Sequence, residues 1–343
     1  MVNNQSNLES RYISITAPAR LHLGFLDMHG GLGRKFGSLG VSIDDIATSL
    51  TAEYADDIDV TGPSSMRASD YAEQVLSHFG INGGIKMQIH SAIPEHAGLG
   101  SVTQLSLAVA SAIATLYDLD DREPSNLATI FPRGARSGCC IGTFIFGGFI
   151  VDAGRGENTE VPPVISHMAF PDHWRILLVF DDGTEGINGV PERRAFSTLP
   201  PMSEDMSGLL CRLTLMQVLP ALSEHNCAKF GQAITRIQNI VGDYFAQVQG
   251  GRYTSPFLKS ILDMLETDGA TGVGQSSWGP TGFAIFPNET MAFQALKKLR
   301  NECQTESRLR FMITRGCNEQ ASISVDDVKP EIANNSLQDI INK

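Results

Sequence analysis

One turn constrains this chain more than any other segment: Pro94-Glu95-His96-Ala97-Gly98-Leu99-Gly100-Ser101. Before it, Ile85, Met87, Ile89 and Ile93 place apolar residues at the period of a half-buried strand. After it, Val102, Leu105, Val109, Ala112 and Leu116 recur at helical spacing. A strand joined to a helix through glycines leaves backbone N–H groups, and a helix dipole end worth about half a charge, facing the turn. Gly98 and Gly100 let a ligand reach that backbone. The segment therefore reads as a phosphate cradle. It reads equally as an ordinary capped helix, because Ser101 and Gln104 have the spacing of a capping box.

The chain's 343 residues suffice for roughly two domains. Hydrophobic residues at 42% and charged residues at 19% exclude a disordered chain and indicate a soluble globular protein. A net charge of −12 argues against nucleic acid as a partner, although a local cluster of cations still collects a small anion. Arg20, Arg34, Lys35, Arg133 and Arg136 all lie beside glycine-rich or turn-like sequence. The first 20 residues are polar and no apolar run is long enough to cross a bilayer, so neither a leader nor a membrane partner is expected. The six cysteines show no CxxC spacing, which predicts reduced thiols and a cytoplasmic location.

Residues 1–12 read as a disordered tail, 13–165 as a first domain, 170–325 as a second, and 326–343 as a polar tail. Pro162-Pro163 has the look of a linker. The second half opens with a strand, Trp174 to Phe180, and continues through helices near 204–224, 227–248 and 256–267. Strand, helix, strand, strand then follow over Phe283–Phe286, Thr290–Asn301, Phe311–Thr314 and Ala321–Val325. That alternation predicts an α+β domain with helices on one face of an antiparallel sheet.

Three segments in order resemble the GHMP kinase superfamily. They are Pro18-Ala19-Arg20-Leu21-His22-Leu23-Gly24, the turn from Pro94 to Ser101, and the glycine-rich Gly272-Val273-Gly274-Gln275. The resemblance implies a two-domain α+β fold: an N-terminal domain containing a βαβ unit and the phosphate loop, and a ferredoxin-like C-terminal domain, with the site in the cleft between them. Within that superfamily a sharper resemblance is carried by Arg20 to Asp27, Gly33 to Ser38, Gly98 to Gln104, Arg136-Ser137-Gly138, Gly147 to Asp152 and Gly274 to Gly282. These are similar to the β-ribofuranosylaminobenzene 5′-phosphate synthases. That likeness implies transfer of the ribose 5-phosphate of phosphoribosyl pyrophosphate (PRPP) to the ring of 4-aminobenzoate or 4-hydroxybenzoate, with magnesium. Carbon dioxide and pyrophosphate leave, and the product starts methanopterin synthesis. Two departures from the kinase pattern agree with it. Cys140 stands where mevalonate-type kinases carry an aspartate, and Val102 replaces the second serine of their loop. An ATP-dependent kinase and a non-catalytic ligand sensor are the other readings of this scaffold.

PRPP requires two anion sites about a ribose apart. The loop, with Gly98, Leu99, Gly100, Ser101, Thr103 and Gln104, is expected to take the pyrophosphate. Arg34, Lys35, Arg133, Arg136 and Ser137 are expected at the 5′-phosphate or carboxylate. Arg20, in place of the kinases' lysine, is expected to act in catalysis by holding the aryl carboxylate or a phosphate. Asp27 is either a stabiliser of the ribosyl cation or a turn-forming aspartate. His22 is either a ligand contact or a core histidine. Gln275, Ser276, Ser277 and Thr281, with Gly274, are expected to contact substrate or to shape a tight turn. Trp278 is either a flat face for the benzoate or a half-buried core residue. Asp152 and the Cys139-Cys140 pair read as structural. Ser101 is the one magnesium ligand suggested. A strand ending in Asp181-Asp182 mimics the acidic motif of ordinary phosphoribosyltransferases, but its spacing to the glycines is wrong. A homodimer is the default expectation.

Overall fold

The structure is a computed structural model that describes residues 11–131, 138–187 and 189–327. Its first sheet begins with two long antiparallel strands, β1 (Tyr12–Asp27) and β2 (Arg34–Ala55). β3 (Ile58–Thr61) then leads through helix α1 (Ser65–Phe79) to β4 (Gly84–Ser91), which lies parallel to β3 and supplies the expected βαβ unit. The turn after β4 opens α2 (Ser101–Leu116), followed by α3 (Pro124–Thr129) and α4 (Gly138–Phe146). β5 (Phe149–Asp152), β6 (Arg155–Gly156) and β7 (Val164–Met168) complete this part of the sheet. Pro162-Pro163 is therefore not an interdomain linker. It leads into β7, which pairs with β5, and Pro163 O accepts from Ala153 N at 2.9 Å.

The second sheet contains β8 (Arg175–Asp181), β9 (Gly272–Gln275), β10 (Gly282–Phe286) and β11 (Leu309–Thr314), all antiparallel, in the spatial order β11-β8-β10-β9. Taken along the chain this is the four-one-three-two order of a ferredoxin-like domain. Between β8 and β9 run α5 (Gly189–Thr198), α6 (Glu204–Leu213), a π turn (Thr214–Val218), α7 (Leu219–Ser223), α8 (Cys227–Gln249) and α9 (Leu258–Thr267). α10 (Glu289–Glu302) separates β10 from β11. By length and composition alone, the continuous stretch Glu204–Ser223 is apolar enough to cross a membrane, contrary to the expectation that none is. Here Leu210, Leu213, Val218 and Leu222 are buried in the protein core.

The strand read over Ala321–Val325 does not join the second sheet. As β12 (Ser322–Asp326) it pairs antiparallel with β1, from Thr16↔Ser322 to Tyr12↔Asp326. β12 thus covers the edge that β1 would otherwise expose. One apolar cluster ties the two sheets together, with Leu21, Leu23 and Leu39 from the first and Ile176, Leu178 and Phe283 from the second meeting Phe230, Ile234 and Ile237 of α8. Gly231 lets α8 approach the backbone at Thr271 and Gly272, where a Cβ would overlap. That close packing fixes the floor on which the site is built.

Candidate active site

The three motifs meet through their backbones. Arg20 N donates to Leu99 O at 3.0 Å, drawing β1 against the glycine turn. His22 N donates to Ser276 Oγ at 2.9 Å, and Ser276 Oγ donates in turn to Gly98 O at 2.7 Å. A Cβ on Gly98 would overlap Ser276 O, and its φ of +76° is a glycine conformation, so only glycine closes this junction. Gly100, at φ +83°, is the N-cap of α2 and offers no side chain to the first helical N–H groups. The residues carrying those donors, Gly100 to Thr103, line a cavity of about 410 Å³. Of the residues expected from sequence, Arg20, His22, Gly98, Gly100, Ser101, Thr103, Ser277 and Trp278 line it.

Others are placed elsewhere. The capping box does not form: Gln104 is buried and its Nε2 donates to Cys140 O at 3.0 Å. Leu99 is a core residue. Gln275 Oε1 accepts from Thr254 N at 2.7 Å and its backbone N donates to Gln238 Oε1 at 2.9 Å, so it braces the turn. Gly274 lies against the Gln238 side chain, Ser276 serves as the bridge described above, and Thr281 is buried outside the cavity. Asp27 is a turn residue, its Oδ1 accepting from His29 N at 2.7 Å and Gly30 N at 2.9 Å, and it does not line the cavity. Arg34 clamps the loop after β5, donating to Ala153 O at 3.0 Å and Gly154 O at 2.9 Å. Lys35 places Nζ 5.6 Å from the centroid of the Phe36 ring, also outside the cavity. Arg133, Arg136 and Ser137 lie outside the described residues.

The cavity also contains residues that the sequence did not assign to it, among them Asp152, which reads in the sequence as structural. Phe25, Phe36, Asp152, Arg155 and Phe196 all line it. Arg155 stands between two glycines, a local sign of backbone exposure. Phe36 precedes Gly37, while Phe196 carries no local signal at all.

Burial sets the charge states here. Arg20 and His22 are each only 6% exposed. Desolvation works against the Arg20 cation, but the Cys140 and Cys139 thiols and the Asp152 carboxylate outweigh it and keep the guanidinium firmly protonated. Arg20 Nε and Nη2 donate to Cys140 Sγ at 3.0 and 2.8 Å. The hydrogen bond to Cys140, with burial, pushes the Cys139 thiol well up, so it stays protonated. Burial, then the Arg20 charge, holds His22 well below its ordinary range and therefore neutral. Asp152 is pushed up by burial while accepting from Ser38 Oγ and, at 2.8 Å, from Gly154 N.

The cavity tests poorly as a self-sufficient metal site: no group of three or more His, Cys, Asp or Glu fit to hold a metal occurs among the described residues. A magnesium ion held here would need most of its ligands from phosphates that it arrives with, since few protein ligands are on offer. Ser101, at the first turn of α2, is the hydroxyl placed to offer one. The acids of the mimic motif are committed elsewhere. Asp181 receives Arg308 at 2.6 Å, Ser255 at 2.7 Å and Thr184 at 2.9 Å, and Asp182 pairs with Arg310 at 2.6 Å.

Residues 67–148 match the N-terminal domain of GHMP kinases and residues 218–305 match the GHMP kinase C-terminal domain. The beta-ribofuranosylphenol 5'-phosphate synthase of Methanothermobacter thermautotrophicus is 30% identical over 79% of this chain and 88% of its own length. The chain belongs to the beta-ribofuranosylphenol 5'-phosphate synthase family. The synthase of the same name from Methanocaldococcus jannaschii is also 30% identical, with the same coverage. The homoserine kinase of Cytophaga hutchinsonii superposes with a TM-score of 0.64 over 95% of this chain and 100% of its own, at 15% identity. The likeness to this homoserine kinase is one of fold, while the synthases share 30% of their sequence over 79% of the chain.

Proposed function

We propose that this enzyme transfers ribose 5-phosphate from PRPP to the ring of 4-hydroxybenzoate or 4-aminobenzoate, releasing carbon dioxide and pyrophosphate, as the first step of methanopterin biosynthesis in the cytoplasm. The observation that carries the reading is that Cys140, in place of the kinases' acid, faces the cavity held by Arg20 beside an open helix N-terminus. This arrangement favours binding and expelling a diphosphate over activating an alcohol. All six cysteines are free thiols, in keeping with a reducing compartment.

In this reading the anomeric C–O bond to the diphosphate breaks as a bond forms from C1 of the ribose to the ring carbon bearing the carboxylate. That carboxylate then departs as carbon dioxide, and its electron pair restores the aromatic ring. The N–H groups at Gly100, Ser101 and Thr103 receive the negative charge that grows on the leaving diphosphate, and Arg20 stands behind them. Ser101 would offer a ligand to a magnesium ion, which would supply charge neutralisation of the leaving group. Arg155 is the cation assigned to the second anion, in place of Arg34 and Lys35. Asp152 takes the role considered for Asp27, holding ribose hydroxyls near the developing cation. Trp278 offers its face to the acceptor ring.

The test is release of carbon dioxide from carboxyl-labelled 4-hydroxybenzoate and 4-aminobenzoate with purified protein, magnesium and PRPP. Label loss that requires PRPP supports the reading. Retained label, with phosphorylation of an alcohol from ATP, would return the chain to the kinases.

A further inference from the structure

One end of the cavity is built from rings. Phe25 of β1, Phe36 of β2 and Phe196 of α5 line it together with Trp278. Phe196 sits at the centre, its centroid 5.4 Å from Phe36, 6.2 Å from Phe25 and 5.5 Å from Trp278. All three contacts are edge-on, at 79°, 82° and 75°. Such an array gives this end of the cavity an apolar wall of ring edges and faces, which suits one further ring. The His22 ring, neutral, lies tilted 4.6 Å from Phe25, so it adds no charge beside these rings.

Phe36 gives the independent indication. Its φ is +74°, a conformation that a bulky side chain adopts only against a steric penalty. It lies in β2 opposite Asp27, and Gly37 follows it at φ +68°. Glycine would hold the Phe36 backbone without penalty, so what phenylalanine contributes there is its ring. The left-handed pair turns that ring to Phe25 and Phe196, at 6.4 and 5.4 Å.

We infer that Phe25, Phe36 and Phe196 form the slot for the benzene ring of the acceptor, with Phe36 and Phe196 determining which aryl acids enter. The inference rests on the transferase reading above and extends it from the reaction to its selectivity. A single ring bearing a small para substituent is accepted, and a fused bicyclic acid is excluded.

The experiment compares wild type with Phe36→Leu, Phe196→Leu, Phe196→Ala and the ring-retaining Phe196→Tyr. Carbon dioxide release is measured against 4-hydroxybenzoate and PRPP, and labelled 4-hydroxybenzoate is bound directly by equilibrium dialysis. In the two leucine variants KM and Kd for the aryl acid rise about ten-fold or more, while KM for PRPP stays within about two-fold. Phe196→Tyr retains aryl binding, and Phe196→Ala gains turnover of 6-hydroxy-2-naphthoate. Unchanged aryl constants in both leucine variants, or a parallel rise in KM for PRPP, overturn the slot. If wild type releases no carbon dioxide, the transferase reading fails and dialysis alone decides: aryl acid bound by wild type and lost in the leucine variants sustains the slot, whereas no binding by wild type overturns it.

Discussion

Arg20 grips Cys140 from two nitrogens, Nε at 3.0 Å and Nη2 at 2.8 Å from the same sulfur. A planar guanidinium matches that fork and an ammonium does not. The sulfur therefore holds Arg20 at the cavity wall, with Nη1 3.4 Å from Gly98 O. Arg20→Lys keeps the charge and loses the fork. It should lower kcat/KM for PRPP by about 10–100-fold, the equivalent of about 1.5–3 kcal/mol for hydrogen bonds to a charged group. Cys140→Ser keeps an acceptor and should retain most activity, whereas Cys140→Val should resemble Arg20→Lys. Steady-state kinetics on the three variants check the ordering.

Gly98→Ala should fail structurally before it fails chemically. The added Cβ meets Ser276 O, and the φ of +76° is unfavourable for alanine by about 1–3 kcal/mol before the overlap is counted. Thermal unfolding should show a clear loss of stability, with turnover falling because the glycine turn and the Gly272–Gln275 strand no longer close on one another.

Asp181→Asn separates stability from substrate binding. Asp181 is fully buried and accepts from Arg308, Ser255 and Thr184, so the variant should unfold several degrees lower. Its KM for PRPP should match wild type. A large rise in that KM at unchanged melting temperature would instead give the Asp181-Asp182 motif a role at the ribose.

His22 makes folding acid-sensitive. Its folded pKa lies well below the ordinary 6.5, chiefly through burial, so below 6.5 the unfolded chain takes up a proton that the folded chain refuses. The stability present above pH 6.5 is thus lost progressively as pH falls towards the folded pKa. Denaturant unfolding of wild type between pH 7 and pH 5 should show this slope, and His22→Gln should flatten it.

Sequence was a reliable guide wherever geometry is local. The turn from Pro94 to Ser101 joins a strand to α2 because glycines at 98 and 100 supply left-handed backbone within one short segment. The helical period of Val102 to Leu116 and the strand period of Ile85 to Ile89 are likewise written in neighbouring residues. Strand and helix alternation indicated the α+β class, and the resemblance carried by the three ordered motifs implied the βαβ unit and the ferredoxin-like second sheet. Local reading also found Arg20, His22 and Trp278, which the cavity does contain.

Tertiary structure decided which polar groups remain for a ligand. Arg34 looks like a phosphate residue until Ala153 and Gly154, more than a hundred positions away, take its donors. Gln275 is likewise engaged by Thr254, whereas Phe36, Phe196 and the Asp152–Arg155 stretch reach the cavity from three separate segments. β12 crosses to the first sheet for a related reason, since an open strand edge is paired by whatever strand the fold brings beside it. Spacing along a chain fixes the conformation of neighbours, because backbone sterics act over a few residues. A hydrogen-bond partner or a ring contact is fixed only when distant segments pack, so the composition of the site was settled by packing.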